Sequence, residues 1–240
     1  MACCRHHSTE RCAASSSMGE ESIVALTISR CNIKNYEQIN IEQTESESDP
    51  FTEERYRLFH RLLPKQARRI LDVGCNTGRG GIVLKGLDQH LVLSGLDVVK
   101  ERIERLPAGV YENNILGSCT AIESKDEEFD AIVAGEFLEH LYPADVDRTL
   151  FEMFRVLRIG GRLLLTTPNP GDLKRKARGQ SILGRAHVSQ HHHDALKMKM
   201  RMAGSSRVRV YGSGKVTRYL GCRFPLLGVY GSYLIMGDKF

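Results

Sequence analysis

The residues best able to do chemistry fall into three short stretches. The first is Arg69 to Gly81, RILDVGCNTGRGG. An apolar run, Ile70 to Val73, carries one acid, Asp72, and breaks into a turn held by Gly74 and Gly78. Strand, glycine turn and helix in that order form the ligand-binding edge of a doubly wound α/β domain, where backbone must approach a bound molecule closely. A dinucleotide fingerprint needs glycine at 76, where Asn76 stands, and a P-loop needs a Gly-Lys-Ser/Thr ending that Arg79-Gly80-Gly81 does not supply. An acid just ahead of a glycine turn suits a nucleoside ligand carrying an ammonium group better than a pyrophosphate. The second stretch is Gly95-Leu-Asp97, whose acid falls 23 residues after Gly74, about where such a fold sets a carboxylate on ribose hydroxyls. The third is Gly135-Glu-Phe-Leu-Glu-His140, two carboxylates and an imidazole within five residues.

These residues need a scaffold, and the apolar pattern supplies one. A helix is predicted after Pro50, with Tyr56, Phe59, Leu62 and Leu63 on one face and Pro64 ending it. Strands are predicted at Leu91–Asp97, Glu112–Leu116, Phe129–Ala134 and Arg162–Thr167, alternating with helices after the glycine turn and from Pro143. The helix from Pro143 repeats Val146, Leu150, Met153, Phe154 and Leu157 with helical period. Leu196 to Met202 alternates with period two, but its residue types favour a helix with the methionines in the core. Val208–Tyr211 and Val229–Met236 read as the last two strands. Gly214 to Leu227 reads as an insertion that covers a pocket together with the 170–190 loop. Residues 1–49 form an N-terminal extension expected to be poorly ordered, with a strand possible at Ser22–Ser29; residues 50–240 form the domain.

Composition narrows the classes. The 240 residues are 41% hydrophobic with a net charge of +5, enough apolar content for one cored domain plus a tail. No apolar run approaches the roughly 18 residues that span a membrane. Seven scattered cysteines with no CxxC pair argue against a disulfide framework or a zinc site and point to a reducing, cytoplasmic setting. Residues 1–17 lack the apolar core of a secretory signal; Arg5, Arg11 and several serines leave a transit-peptide reading open. From Asp172 to Arg218 the chain is strongly basic, which fits a solvated face or an anionic acceptor. Aromatics are not interleaved with these charges, which argues against nucleic acid.

Together these motifs resemble the class I S-adenosylmethionine-dependent methyltransferases, type 11 in style. The resemblance rests on Leu71–Gly78, Gly95–Asp97, Phe129–Leu141 and Arg155–Asn169, in the right order and spacing. It implies a seven-stranded Rossmann-like α/β sheet, doubly wound and mostly parallel, with an antiparallel last strand. It implies S-adenosylmethionine as cofactor. Asp72, Gly74 and Gly78 would line the methionine end, with Cys75 and Asn76 of the same turn among the donor-binding residues. Asp97 would hold the ribose, Ser118 and Cys119 would edge the adenine, and Glu136 would lie beside the sulfonium. The chain departs from the family at two positions. Asn76 replaces a frequent glycine but tolerates left-handed backbone. Ser118 replaces a usual aspartate, which costs about 1 kcal/mol of charge assistance.

Methyl transfer needs orientation above all, and a base only for a poor nucleophile such as a hydroxyl. His140 is the candidate base, with Glu136 and Glu139 orienting it or raising its pKa. The expected reaction is methyl transfer to a small-molecule or glycan hydroxyl. Two alternatives stay open: a catalytically silent partner subunit that binds the cofactor weakly, and a metal-dependent RNA 2′-O-methyltransferase. The latter reads Glu136-x-x-Glu139-His140 with a downstream histidine (His187, His191, His192 or His193) as metal ligands. In the ordinary reading these residues hold no metal.

Overall fold

The computed structural model describes residues 36–40, 49–184 and 186–240. The possible strand at 22–29 lies outside them. Seven strands form one sheet in the order β3-β2-β1-β4-β5-β7-β6. They are β1 (Arg69–Val73), β2 (Val92–Asp97), β3 (Asn113–Leu116), β4 (Phe129–Gly135), β5 (Leu157–Pro168), β6 (Ser205–Ser213) and β7 (Ser232–Lys239). β1 to β5 pair in parallel, while β7 runs antiparallel to both β5 and β6. The helices are α1 (36–40), α2 (Thr52–Leu62), α3 (Arg79–Leu87), α4 (Lys100–Glu104), α5 (Pro143–Val156), α6 (Leu173–Ala177), α7 (His193–Met202) and α8 (Thr217–Leu220). Among the described residues no helix is long and apolar enough to cross a membrane.

Period-two alternation splits the core into two layers. Leu71, Val73 and Ile132 face a layer containing Leu150, Phe154 and Met200, whereas Ile70, Ala131 and Leu164 face one containing Tyr56, Phe59 and Leu84. Asp72 shares the second face, and this fixes its surroundings. α5 obeys its heptad-like pattern: Val146, Leu150, Met153 and Phe154 are all buried.

Several boundaries differ from the sequence reading. β5 begins at Leu157 and runs through Gly160-Gly161 with a register irregularity opposite Phe129 and Ala131. Val229 lies in a 3-10 turn (Leu227–Val229), and β7 starts only at Ser232. In α7 the methionines divide: Met200 is buried with Leu196, four residues earlier, while Met198 and Met202 are 63% and 73% exposed. A helix places i and i+4 on one face and i+2 on the other, so only one of these three joins the core.

Candidate active site at the carboxyl edge of the sheet

The loop after β1 is shaped by backbone. Gly74, Asn76 and Gly78 have φ of 70°, 51° and 79°. The Gly74 and Cys75 N–H groups donate to Leu96 O at 2.8 and 3.2 Å, tying the turn to β2. A Cβ on Gly74 would stand 2.6 Å from the Phe137 ring. Asn76 takes up left-handed geometry and, from that position, its N–H donates to Asp97 Oδ2 at 3.0 Å. Asp97 Oδ1 accepts from Val99 N at 2.9 Å. Burial raises the Asp97 pKa, opposed by these backbone donors and Arg102. Each carboxylate oxygen has more than one lone pair, so Asp97 keeps acceptor capacity for two ligand hydroxyls.

Asp72 is placed differently from expectation. It is fully buried, and its two oxygens accept hydrogen bonds from Tyr56 and Tyr111 hydroxyls, both at 2.7 Å. It lies outside the cavity wall, as does Gly78, which packs against Leu106, Pro107 and Tyr111. Burial pushes the Asp72 pKa up from 3.8 to about 6, against the pull of the two tyrosines. A signal for this pair lies in two glycines of α3. A Cβ on Gly80 would overlap the Tyr56 ring, and one on Gly81 would overlap Tyr111. Gly80 and Gly81, which fail as a P-loop ending, are the gap through which both rings reach Asp72.

A cavity of about 1100 Å³ opens over the strand ends. Gly74, Cys75, Asn76, Asp97, Ser118, Cys119, Glu136 and His140 all line it. Ser118 Oγ lies 2.8 Å from Thr120 Oγ1. The Cys119 thiol lies 3.4 Å from Thr149 Oγ1, and burial pushes its pKa up to about 12. Glu136 has φ 51°; its N–H donates to Thr166 O, and its Oε2 accepts from Ser232 Oγ at 3.2 Å. Arg55, missed in the sequence reading, reaches Glu136 at 3.8 Å and Asp49 at 3.0 Å. Its position on the buried side of α2, one residue before Tyr56, was the available signal. Tyr36, Ile39 and Asn40, assigned by sequence to the extension, also line the cavity. Tyr36 is buried, its hydroxyl bonded to Asp145 and accepting from Tyr142 N.

His140 ends a 3-10 turn (Leu138–His140) that follows β4. Its Nδ1 lies 3.1 Å from Ala186 O, a contact that a proton on Nδ1 satisfies, and the ring is also held by the Glu136 backbone. The His187 ring stands edge-on at 5.0 Å, with its own Nδ1 3.1 Å from Ile182 O. Burial and His187 push the His140 pKa down to about 4. The carboxylates were expected to orient it or raise its pKa; the opposing pull comes instead from the Ala186 and Glu136 backbone, and burial outweighs it. Glu139 is wholly buried, accepts from Thr167 Oγ1 at 3.0 Å, and is held well above the usual carboxyl range by burial and by Glu136. Its backbone carbonyl accepts from Val188 and Ser189, so the loop carrying His187 is pinned to this turn.

Glu139, His140 and His187 have ligand atoms within 4.8 Å of one another. The other histidines proposed as ligands lie elsewhere. His191 is within bonding distance of Ser189 and Leu138 O, His192 sits at the N-cap position of α7 without a side-chain capping bond, and His193 contacts Asp194. The 214–227 segment also departs from expectation. Only Gly214 reaches this cavity, while Thr217 and Arg218 bond Glu54 of α2. The other half of the expected cover holds: Arg175, Ser181 to Gly184, Ala186 and His187 form part of the wall.

A family described as a methyltransferase domain matches residues 71–165. An uncharacterized methyltransferase of Mycobacterium tuberculosis is 37% identical over 108 residues, 42% of this chain and 40% of that protein. A fatty-acid O-methyltransferase of Mycolicibacterium smegmatis is 32% identical over 133 residues, 52% of this chain and 47% of that protein. The chain thus spans less than half the length of these relatives. A crystal structure of an S-adenosylmethionine-dependent methyltransferase from Archaeoglobus fulgidus shares the fold, with a TM-score of 0.61 at 20% identity over 78% of this chain and 92% of that one. Residues 71–165 thus match the methyltransferase-domain family, and the sheet has the fold of S-adenosylmethionine-dependent methyltransferase structures.

Proposed function

We propose that this chain transfers a methyl group from S-adenosylmethionine to a hydroxyl of a small molecule or glycan. The carrying observation is that one cavity joins the backbone-built turn with Asp97 on one wall to His140 on the other. The donor, when bound, supplies an electrophilic methyl carbon on a sulfonium. Asp97, fixed by Asn76 and Val99 N–H groups, would accept from the ribose hydroxyls. Gly74, Cys75 and Asn76 would carry the amino-acid end, with Ser118 and Cys119 beside the adenine and Glu136 near the positive sulfur. Asp72 acts at one remove, as the buried anchor of Tyr56 and Tyr111 beneath the turn.

On the acceptor side, His140 with its proton on Nδ1 presents Nε2 as the proton acceptor for a hydroxyl. Its low pKa keeps it neutral, and so able to accept, at physiological pH, while making it a weaker base than a free imidazole. Oxygen as acceptor atom is supported by the fatty-acid O-methyltransferase among the relatives. Arg175 in the cavity wall favours an anionic acceptor. Incubation with methyl-labelled donor and fractionated cell extract tests the reading. The expected product is a labelled methyl ether that forms only with an added fraction. Donor binding without transfer to any fraction would instead identify a silent partner subunit.

The Glu139, His140 and His187 cluster supports a second reading, in which these side chains ligate a divalent cation that activates the acceptor. In both rings Nδ1 faces a backbone carbonyl, the arrangement of a histidine that ligates through Nε2. Loss of transfer on adding a chelator, restored by a divalent metal, would favour it over the general-base reading.

A further inference from the structure

Two adjoining segments, the first of which contributes to the cavity wall, have a surface that methyl transfer itself does not require. Of the fifteen large apolar side chains exposed among the described residues, six lie on them: Leu173, Leu183, Tyr219, Leu220, Phe224 and Leu226. These are 39% to 79% exposed, on a protein whose core is otherwise well closed. The segments adjoin. Asn169 Nδ2 donates to Leu227 O and Tyr230 O, and a Cβ on Gly228 would stand 3.0 Å from Leu173 Cγ.

Their charge is of one sign. Lys174, Lys176, Arg178, Lys215 and Arg223 are exposed beside these apolar groups. No acidic residue occurs between 173 and 193 or between 205 and 237. Leucines and aromatic rings set among lysines and arginines match the interface of a bilayer, where rings and aliphatic chains enter the acyl boundary and cations meet anionic headgroups. A nucleic acid would satisfy the cations but leave the leucines in water. Arg175 and Leu183 of the first segment also line the cavity, so whatever docks here faces its opening.

We propose that residues 173–183 and 215–228 form a docking surface for an anionic lipid bilayer, at which the cavity mouth meets the membrane. The inference goes beyond the methyl-transfer reading and does not rest on it. The test is co-sedimentation of the full chain with vesicles of phosphatidylcholine alone and of phosphatidylcholine mixed with phosphatidylglycerol. The expected result is partition into the phosphatidylglycerol vesicles only. Lys174→Ala and Lys176→Ala should each weaken it roughly fivefold. Tyr219→Ser with Phe224→Ser, which leaves every charge in place, should weaken it by about tenfold or more. Unchanged S-adenosylhomocysteine affinity in each variant shows that the fold is kept. Three results would overturn the proposal: no partition into anionic vesicles, equal partition into both compositions, or full binding by the Tyr219/Phe224 variant. Binding to polyglutamate without vesicle binding would also overturn it, pointing to an acidic protein partner.

Discussion

The two walls of the cavity are built by different means. The wall proposed for the donor is local and made of backbone: N–H groups at 74, 75, 76 and 99 satisfy Leu96 O and Asp97, all within 26 residues of one another. The acceptor wall is made of side chains on distant loops. His140 and His187 are 47 residues apart, and backbone carbonyls at 186 and 182 hold their rings. A backbone-built wall fixes one ligand and tolerates little change of residue type. A side-chain wall can be altered without disturbing the sheet, which is how one fold serves many acceptors.

Substitutions on the two walls should therefore separate cleanly. The largest expected effect is at His140. His140→Ala should lower kcat by about two to four orders of magnitude while leaving S-adenosylhomocysteine affinity within about twofold; an unchanged kcat would remove His140 from the chemistry. Next is Gly74→Val, which puts a branched side chain at positive φ against Phe137. It should cost about 1–3 kcal/mol in denaturant unfolding and weaken donor binding as well. If only acceptor KM moved, the division between walls would fail.

Tyr111→Phe probes the anchor beneath the donor wall. Asp72 titrates at about 6 in the fold against an ordinary 3.8, so its contribution is present below 3.8 and is lost as pH rises through 6. The tyrosine bonds limit that loss by favouring the carboxylate. Removing one should destabilise by about 1.5–3 kcal/mol at pH 8 and by less at pH 5, where Asp72 is largely protonated. Equal losses at both pH values would contradict the assignment. His140 has the opposite sign. Its pKa is lowered from 6.5 to about 4, so the fold loses stability as pH falls from 6.5 toward 4, and His140→Ala should flatten that slope. The smallest effect is expected at Leu183→Ala, a several-fold rise in acceptor KM with donor affinity and melting temperature unchanged.

Much of the donor wall was legible because its signals are local. Glycines at 74 and 78, a left-handed-tolerant Asn76 and an acid at the end of β2 are each readable within one strand-turn-helix unit. Asp72 was found but misplaced, since period two decides only which face it takes, not that Tyr56 and Tyr111 wait there. Tyr111 itself sits between a helix and an edge strand with no periodicity to single it out. The wall proposed for the acceptor was legible at Glu139 and His140. His187 appeared only as one of four histidines, because a 47-residue separation has no local signature. Tyr36 was hidden for the same reason: its partner Asp145 lies 109 residues away.

The most direct measurement is calorimetric titration of S-adenosylhomocysteine into the wild-type chain and Asp97→Ala, with circular dichroism showing that both are folded. The account predicts binding by the wild type and a loss of about a hundredfold in the variant, from two charge-assisted hydroxyl bonds. Equal affinity in a folded Asp97→Ala chain would contradict it.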